Sequence, residues 1–330
     1  MNRMTHLHRA ARRVTLAASV VFMTTCIATT GVQAAELQLR AASFAPLDTT
    51  WGKPFKMFVD HVNEIGKGVL QIRAVGPEAI PATEQPNAVR NGLVDMISTP
   101  PGMYKSAMVE ANAQDLSNMT LAEQRASGGY DALNAILKKR LNAQALTTFG
   151  TSVPFHIFLT KDNIKSEADL KGLRVRSQPI FSPLFESLGM SQSMIPIPEV
   201  YTALERGVVH GFGFAAWGLD DLGWDKLTKV RIDPGFYSVV VNVLINSNRL
   251  AKLTSEQRKV LDDSVTWFEN MLLTYTKEVT EHNRAKQAAA GIKSVDFGPE
   301  FAKKARDLYW KELERLSPQN IPALRAKLDK

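Results

Sequence analysis

The stretch DLKGLRVRSQPI, Asp169–Ile180, reads as a turn feeding a short strand, Leu173–Ser177, that runs into Gln178-Pro179. Strand alternation puts Leu173 and Val175 on one face and Arg174 and Arg176 on the other. No acid follows Arg176 before Glu186. A strand with an apolar face that closes on an unpartnered arginine leaves two readings open. One is a surface arginine, or one paired to a distant acid. The other is a planar five-donor fork aimed at a carboxylate beyond the strand end, where open α/β sheets bind ligands.

Outward from this stretch, strand-like and helix-like text alternates. LQLRAAS (Leu37–Ser43), LQIRAV (Leu70–Val75), LVDMIS (Leu93–Ser98) and ALTTFG (Ala145–Gly150) read as strands. Between them, helices are predicted over Trp51–Ile65, Thr83–Asn91 and Ala122–Leu141. In the first of these, Phe55, Phe58, Val59 and Val62 recur three and four apart. A second run starts at Phe155. It has strands FHIFLT (Phe155–Thr160), Leu173–Ser177, one near Met194–Ile197, and VVHGFGF (Val208–Phe214), with helices over Ser182–Leu188 and Glu199–Arg206. Phe236–Ser247 then reads as a strand returning to the first run. The pattern predicts an α/β protein of mostly parallel sheets, and 330 residues suffice for two lobes.

Thr254-x-x-Gln257 has the form of a capping box. Leu261, Val265, Phe268, Leu272, Tyr275 and Val279 then mark one helical face, with no Gly or Pro before Gly291. Such a helix is roughly 50 Å long and is expected to span both lobes. A shorter helix is expected around Glu300–Arg315.

The amino terminus has the pattern of a secretory signal. Arg3, Arg9, Arg12 and Arg13 precede the uncharged stretch Val14–Ala28, and Val32-Gln33-Ala34 ends in small residues two apart. Cleavage is expected after Ala34. The single cysteine, Cys26, falls in that segment, so no disulfide is expected beyond it. Four of the 40 Lys and Arg go with the signal, leaving 36 against 33 acids, a net charge of +3. No basic stripe interleaved with aromatics indicates a nucleic-acid partner. The chain lacks a G-x-S-x-G elbow, a phosphate-cradling glycine loop and an H-E-x-x-H pair. His61, His156, His210 and His282 are too dispersed for a metal site by spacing. Asp220-Asp221 and Asp262-Asp263 read as solvated surface pairs.

The succession of DLKGLRVRS, ESLGM (Glu186–Met190) and IPIPEVYTALERGVVHGF (Ile195–Phe212) resembles the periplasmic solute-binding proteins of tripartite ATP-independent (TRAP) transporters, the DctP-type family. The likeness extends to TTWGKPFKMFVDHVNE (Thr49–Glu64), EQPNAVRNGLVDM (Glu84–Met96) and INSNRLAKLTSEQRKVL (Ile245–Leu261), and covers nearly all of residues 36–290. The resemblance implies the two-lobe periplasmic-binding-protein architecture. The expected divisions are a signal over residues 1–34, lobe I over 35–155 and lobe II over 156–240. Residues 241–330 would hold the return strand, the spanning helix and the C-terminal helix.

It also implies a periplasmic receptor, not an enzyme, that closes on a small organic carboxylate and passes it to small and large membrane permease subunits. Arg176 stands where the family's carboxylate-gripping arginine stands. No cofactor is expected, no residue is assigned as a metal ligand, and the receptor is expected to be a monomer.

The departures from the family pattern bear on the ligand. His210 replaces an aspartate, Phe212-Gly213-Phe214 replaces a polar triplet, and Phe214 stands where an asparagine would bind ligand. A Phe cannot satisfy a ligand's hydroxyls, and burying each unpaired costs about 1–3 kcal/mol. A monocarboxylate with an apolar, cyclic or aromatic body is therefore expected. Phe214 and Trp217, placed beyond a strand end, are expected to line the cleft. Phe155 and His156 open their strand and are further candidates, His156 as a second polar contact. Thr49, Trp51, Thr99, Pro100 and Tyr104, in loops after strands, are candidates from the first lobe. Two other readings stay open: a secreted enzyme using His156 or His210 as base, and a binding protein that presents its ligand to a sensory receptor.

Overall fold

The structure is a computed structural model and describes residues Glu36–Lys330. The expected signal peptide and its cleavage site after Ala34 lie outside the described residues. In chain order the first part comprises β1 (Leu37–Ser43), α1 (Lys53–Ile65), β2 (Leu70–Val75), α2 (Gln85–Arg90), β3 (Met96–Thr99), α3 (Leu121–Ala126), α4 (Gly129–Leu141) and β4 (Ala143–Phe149). The second comprises β5 (Phe155–Leu159), β6 (Arg174–Arg176), α5 (Ser182–Ser187), β7 (Ser191–Ser193), α6 (Ile197–Glu205), β8 (Gly211–Ala215) and β9 (Val230–Asp233). The chain ends with β10 (Val241–Asn246), α7 (Ser247–Leu250), α8 (Ser255–Ala289), β11 (Lys293–Asp296), α9 (Pro299–Leu316) and α10 (Ile321–Leu328).

The strands form two sheets, ordered β2-β1-β3-β10-β4 and β11-β9-β5-β8-β6-β7. The expected α/β two-lobe plan is present, but each sheet is mixed. β10 is antiparallel to β3 and β4, and β5 is antiparallel to β8 and β9. The crossings explain this. β4 runs out of the first sheet toward the second, and β10 comes back along it, so the returning strand must point the other way. The outgoing segment before β5 and the returning segment after β9 lie side by side. Phe155 N donates to Tyr237 O at 2.9 Å and Val239 N to Val153 O at 2.8 Å.

Several boundaries differ from the sequence reading. The strand expected near Met194–Ile197 lies at Ser191–Ser193, because Ile197-Pro198 opens α6, where proline's missing N–H costs nothing. The helix expected over Ala122–Leu141 is two helices, parted at Gly128, whose φ of 72° suits glycine. β9, β11 and α10 were not anticipated.

The apolar stripe of α1 is buried as its spacing requires, and Phe58 meets Phe268 of α8 edge-on at 5.5 Å. The α8 capping box is complete: the Thr254 hydroxyl accepts from Gln257 N and the Gln257 side chain accepts from Thr254 N. At 35 residues, α8 is about 52 Å long, and its side chains fasten it to both sheets. Glu269 accepts from Thr147 Oγ1 of β4 at 2.7 Å. Farther along, Thr280 accepts from Trp217 Nε1 at 3.0 Å and Gln287 donates to Ala216 O at 2.7 Å, both just past β8. Among the described residues, no helix is long and apolar enough to cross a membrane.

Candidate functional site

β6 is short because its neighbours bond only three of its residues. Its alternation is as read: Val175 is buried, while Arg174 is exposed and donates to Gly207 O at 2.7 Å. Arg176, at the carboxyl end, is only 2% exposed. Its Nε donates to Ile195 O at 3.2 Å and its Nη1 to Gly213 O at 3.3 Å. Two backbone carbonyls thus fix the plane of the guanidinium, and no carboxylate among the described residues pairs with it. Burial alone pulls its pKa down to about 10, which leaves it charged at neutral pH. An ion so buried carries a penalty of several kcal/mol, by order of magnitude, until a counter-charge arrives.

β8 supplies the frame. Residues directly across from one another share a face, so Phe212 stands with Phe158, and Phe214 with His156. Phe212 is wholly buried, its ring 5.3 Å from Phe158 and 4.8 Å from Trp224. Phe214 is half-buried, edge-on to Trp224 at 4.9 Å. It lies inside β8 and not beyond its end, because the strand continues through Ala215, paired to Phe155. Gly213 separates the two phenylalanines for a steric reason. A Cβ there would come within 2.6 Å of the Phe181 ring. Phe155 sits beside the carboxyl end of β8 because β5 runs the other way, and meets Phe181 edge-on at 5.3 Å. Arg176, Phe214 and Phe155 are therefore gathered at one end of the second sheet.

The other candidates are engaged differently. His156 is 5% exposed, with Nδ1 at 2.9 Å from Ile232 O and 3.2 Å from Asp233 Oδ1. Burial raises the Asp233 carboxyl, but hydrogen bonds from His156, Arg231 and Ser294 outweigh it and hold the group well below the usual carboxylate range. His210 lies at the opposite, amino end of β8. Its Nδ1 is buried without a partner among the described residues, and burial, with Lys161 and Arg174, lowers its pKa. Trp217 is 1% exposed and Trp51 8%. Their rings lie 5.1 Å apart, and Trp51 Nε1 donates to Trp217 O at 3.3 Å. Thr49 closes a turn, donating to Pro46 O at 2.6 Å.

Thr99 and Pro100 end β3 in the other sheet. Tyr104, on the 3-10 turn Pro101–Tyr104 that follows, accepts from Asn242 Nδ2 at 2.8 Å. Burial pushes the Tyr104 phenol up. Three wholly buried polar atoms here have no partner among the described residues: Thr99 Oγ1, Ser98 Oγ and Gln85 Oε1. The sequence reading missed Trp224, Phe181 and the Gly213 carbonyl as parts of the frame. The alternating G-F-G-F of residues 211–214 was their only local signal. It also read Asp221 as plain surface, whereas its carboxylate accepts from Thr50 N at 2.7 Å.

Comparison with known proteins agrees with this architecture. A match to the monocarboxylate 2-oxoacid-binding periplasmic protein of Nostoc sp. strain PCC 7120 is 27% identical over 154 residues, 45% of this chain, and spans 42% of that relative's length. The extracytoplasmic solute receptor DctP7 of Bordetella pertussis, which binds pyroglutamic acid, superposes with a TM-score of 0.75 at 17% identity, covering 88% of this chain and 99% of that one. A TRAP transporter solute-binding protein of Bordetella bronchiseptica RB50, with copurified calcium and picolinate, gives 0.75 at 24% identity, covering 89% and 91%. The profile of the bacterial extracellular solute-binding proteins of family 7 matches residues 41–316. The chain belongs to that family, the DctP solute-binding proteins.

Proposed function

We propose that the protein is the periplasmic receptor of a tripartite ATP-independent importer. As a monomer it takes a small organic acid on Arg176, closes by a hinge motion between lobes I and II, and delivers the acid to the membrane permease subunits. One observation carries the reading. Arg176 is a buried cation, held in plane by two carbonyls at the carboxyl end of a strand, and no protein carboxylate answers it. A bidentate carboxylate is the partner its fork fits. The lobes are taken as residues 35–155 and 156–240, with the return strand and α8 joining them.

The ligand we infer is a monocarboxylate with an apolar, cyclic or aromatic body. Phe214, on the Arg176 face of the sheet, and Phe155, at the same strand end on the other face, offer ring surface and no hydrogen bonds, which suits an apolar body and penalises hydroxyls. The names of the Nostoc relative and the two Bordetella receptors carry acids of this kind: 2-oxo monocarboxylates, pyroglutamate and picolinate. We assign no catalysis. His156 is held by Asp233, His210 stands at the far end of β8, and the family is one of binding proteins.

Thermal unfolding against a panel of carboxylic acids tests the proposal. Ligand at 100 times its Kd adds about 2.7 kcal/mol to stability. Stabilisation by 2-oxo or aromatic monocarboxylates, but not by malate, succinate or sialic acid, is the expected result. A response to C4-dicarboxylates alone would keep the receptor and overturn the ligand class. No response to any acid would overturn the function.

A further inference from the structure

Trp51, in the turn before α1, and Trp217, in the segment just past β8, are 166 residues apart in sequence and attached to different sheets, yet each buries its ring against the other. The surroundings of the pair are built for close approach. Trp51 is aimed by a tight turn in which Thr49 O accepts from Gly52 N at 3.0 Å and from Lys53 N at 2.9 Å. Only glycine fits at residue 52, because a Cβ would meet Pro46 O at 1.9 Å. The indole is flanked by two more glycines. A Cβ on Gly150, in the outgoing crossing segment, would lie 3.2 Å from Trp51 Cζ3. One on Gly218 would lie 3.4 Å from Trp51 Cδ1. Both glycines have positive φ, 85° and 78°, which other residues adopt only with strain.

The far side of the contact is anchored to the spanning helix. Trp217 Nε1 donates to Thr280 Oγ1 at 3.0 Å, and Gly218 N to Asn283 Oδ1 at 2.9 Å. A polar clasp lies beside the rings, Thr50 N donating to Asp221 Oδ2 at 2.7 Å. The start of α1, the outgoing crossing and the segment after β8 thus meet on one indole. That is where one sheet pivots on the other if the two move as bodies.

We propose that the Trp51–Trp217 contact, with the Thr50–Asp221 clasp, is the fulcrum of lobe closure. On this assignment Trp51 is a positioning residue that sets the angle between the lobes, and its ring is used against Trp217 instead of the ligand. The inference rests on the receptor reading for its purpose, but the contact can be tested without any ligand. Spin labels at Leu93→Cys on the first-sheet side and Val208→Cys on the second, both exposed positions, in a Cys26→Ser background, report the distance between the lobes.

In the unliganded protein, Trp51→Ala should broaden the distance distribution and move its mean. Asp221→Ala, a surface change that leaves the core intact, should do so in the same direction and by less. Trp51→Phe, which keeps a ring and loses the indole N–H, should fall between wild type and Trp51→Ala. Distributions for Trp51→Ala and Asp221→Ala that superimpose on wild type would overturn the fulcrum, whatever the protein binds. With the best acid from the panel added, a tenfold fall in the closure-competent fraction should raise the apparent Kd about tenfold. An unchanged Kd for Trp51→Ala, with the wild type binding normally, would overturn the proposal as well. A wild type that binds no acid would instead count against the receptor function and leave the label distances to decide the fulcrum.

Discussion

Each sheet holds a buried charge near a strand end, and the two are treated in opposite ways. Asp95, just before β3, is 2% exposed. It accepts from Arg40 N at 2.8 Å, from Arg40 Nε at 3.4 Å and from Arg249 Nε at 2.8 Å. Arg176, equally buried in the second sheet, has two carbonyl oxygens and no counter-charge. The first charge is spent on the fold, joining β1, β3 and α7. The second is an ion whose solvation has been removed and only partly replaced.

A third case shows why the second cannot resolve itself. Asp115, 3% exposed, has the Asn112 amide at 2.9 Å and no cation among the described residues, and burial pushes its carboxyl pKa well above the usual range. An acid can escape burial by keeping its proton. A guanidinium has no such route at neutral pH, and the proposed ligand carboxylate is what would answer Arg176.

The comparison breaks most visibly at Asp95. Asp95→Ala removes a buried acceptor from the Arg40 N–H and from two arginines that are themselves 55% and 35% exposed, and should cost about 1.5–3 kcal/mol, the range for hydrogen bonds to a charged group. Urea unfolding would show it, equally with and without acid. A cost near that of a surface pair would mean the first charge is no more structural than the second.

Phe214→Asn sharpens the ligand side of the comparison. Calorimetric titration should show weaker binding of apolar acids and a gain for hydroxylated ones of about 1–3 kcal/mol for each hydroxyl newly paired. Unchanged preference would remove Phe214 from the pocket.

The smallest effect is expected at Asp115. Its folded pKa lies above its unfolded value, so its contribution to stability is full below the unfolded pKa of about 3.9 and declines as pH rises toward the folded one. Asp115→Asn should flatten that decline in a pH series of unfolding midpoints. A slope as steep as wild type would place the titrating group elsewhere.

What the sequence made legible follows from how local each signal is. β1 and β2 were read to the residue, and α8 from its capping box, because alternation and capping act within a few positions. β9 and β11 were missed. Each is four residues long, and they become strands only by pairing across more than 60 positions, β11 with β9 and β9 also with β5. The same limit applied at the site. Arg176 was singled out because alternation and the family motif both fall on it. The roles of Trp51 and Asp221 were not, because each depends on a partner more than 160 residues away. Phe214 was expected beyond the end of β8 and lies within it, since the end of β8 is set by its pairing with β5.

The central claim is that Arg176 is a charge kept for a ligand, and the most direct measurement is the unfolding free energy of Arg176→Met beside wild type, with and without the acid. The account predicts that without acid the variant is as stable as wild type or more so, since a buried unpaired ion has been replaced by an apolar side chain of similar length. It also predicts that the stabilisation conferred by the acid disappears. A variant that loses several kcal/mol, by order of magnitude, without any acid present, or that keeps the ligand's stabilisation, would contradict it.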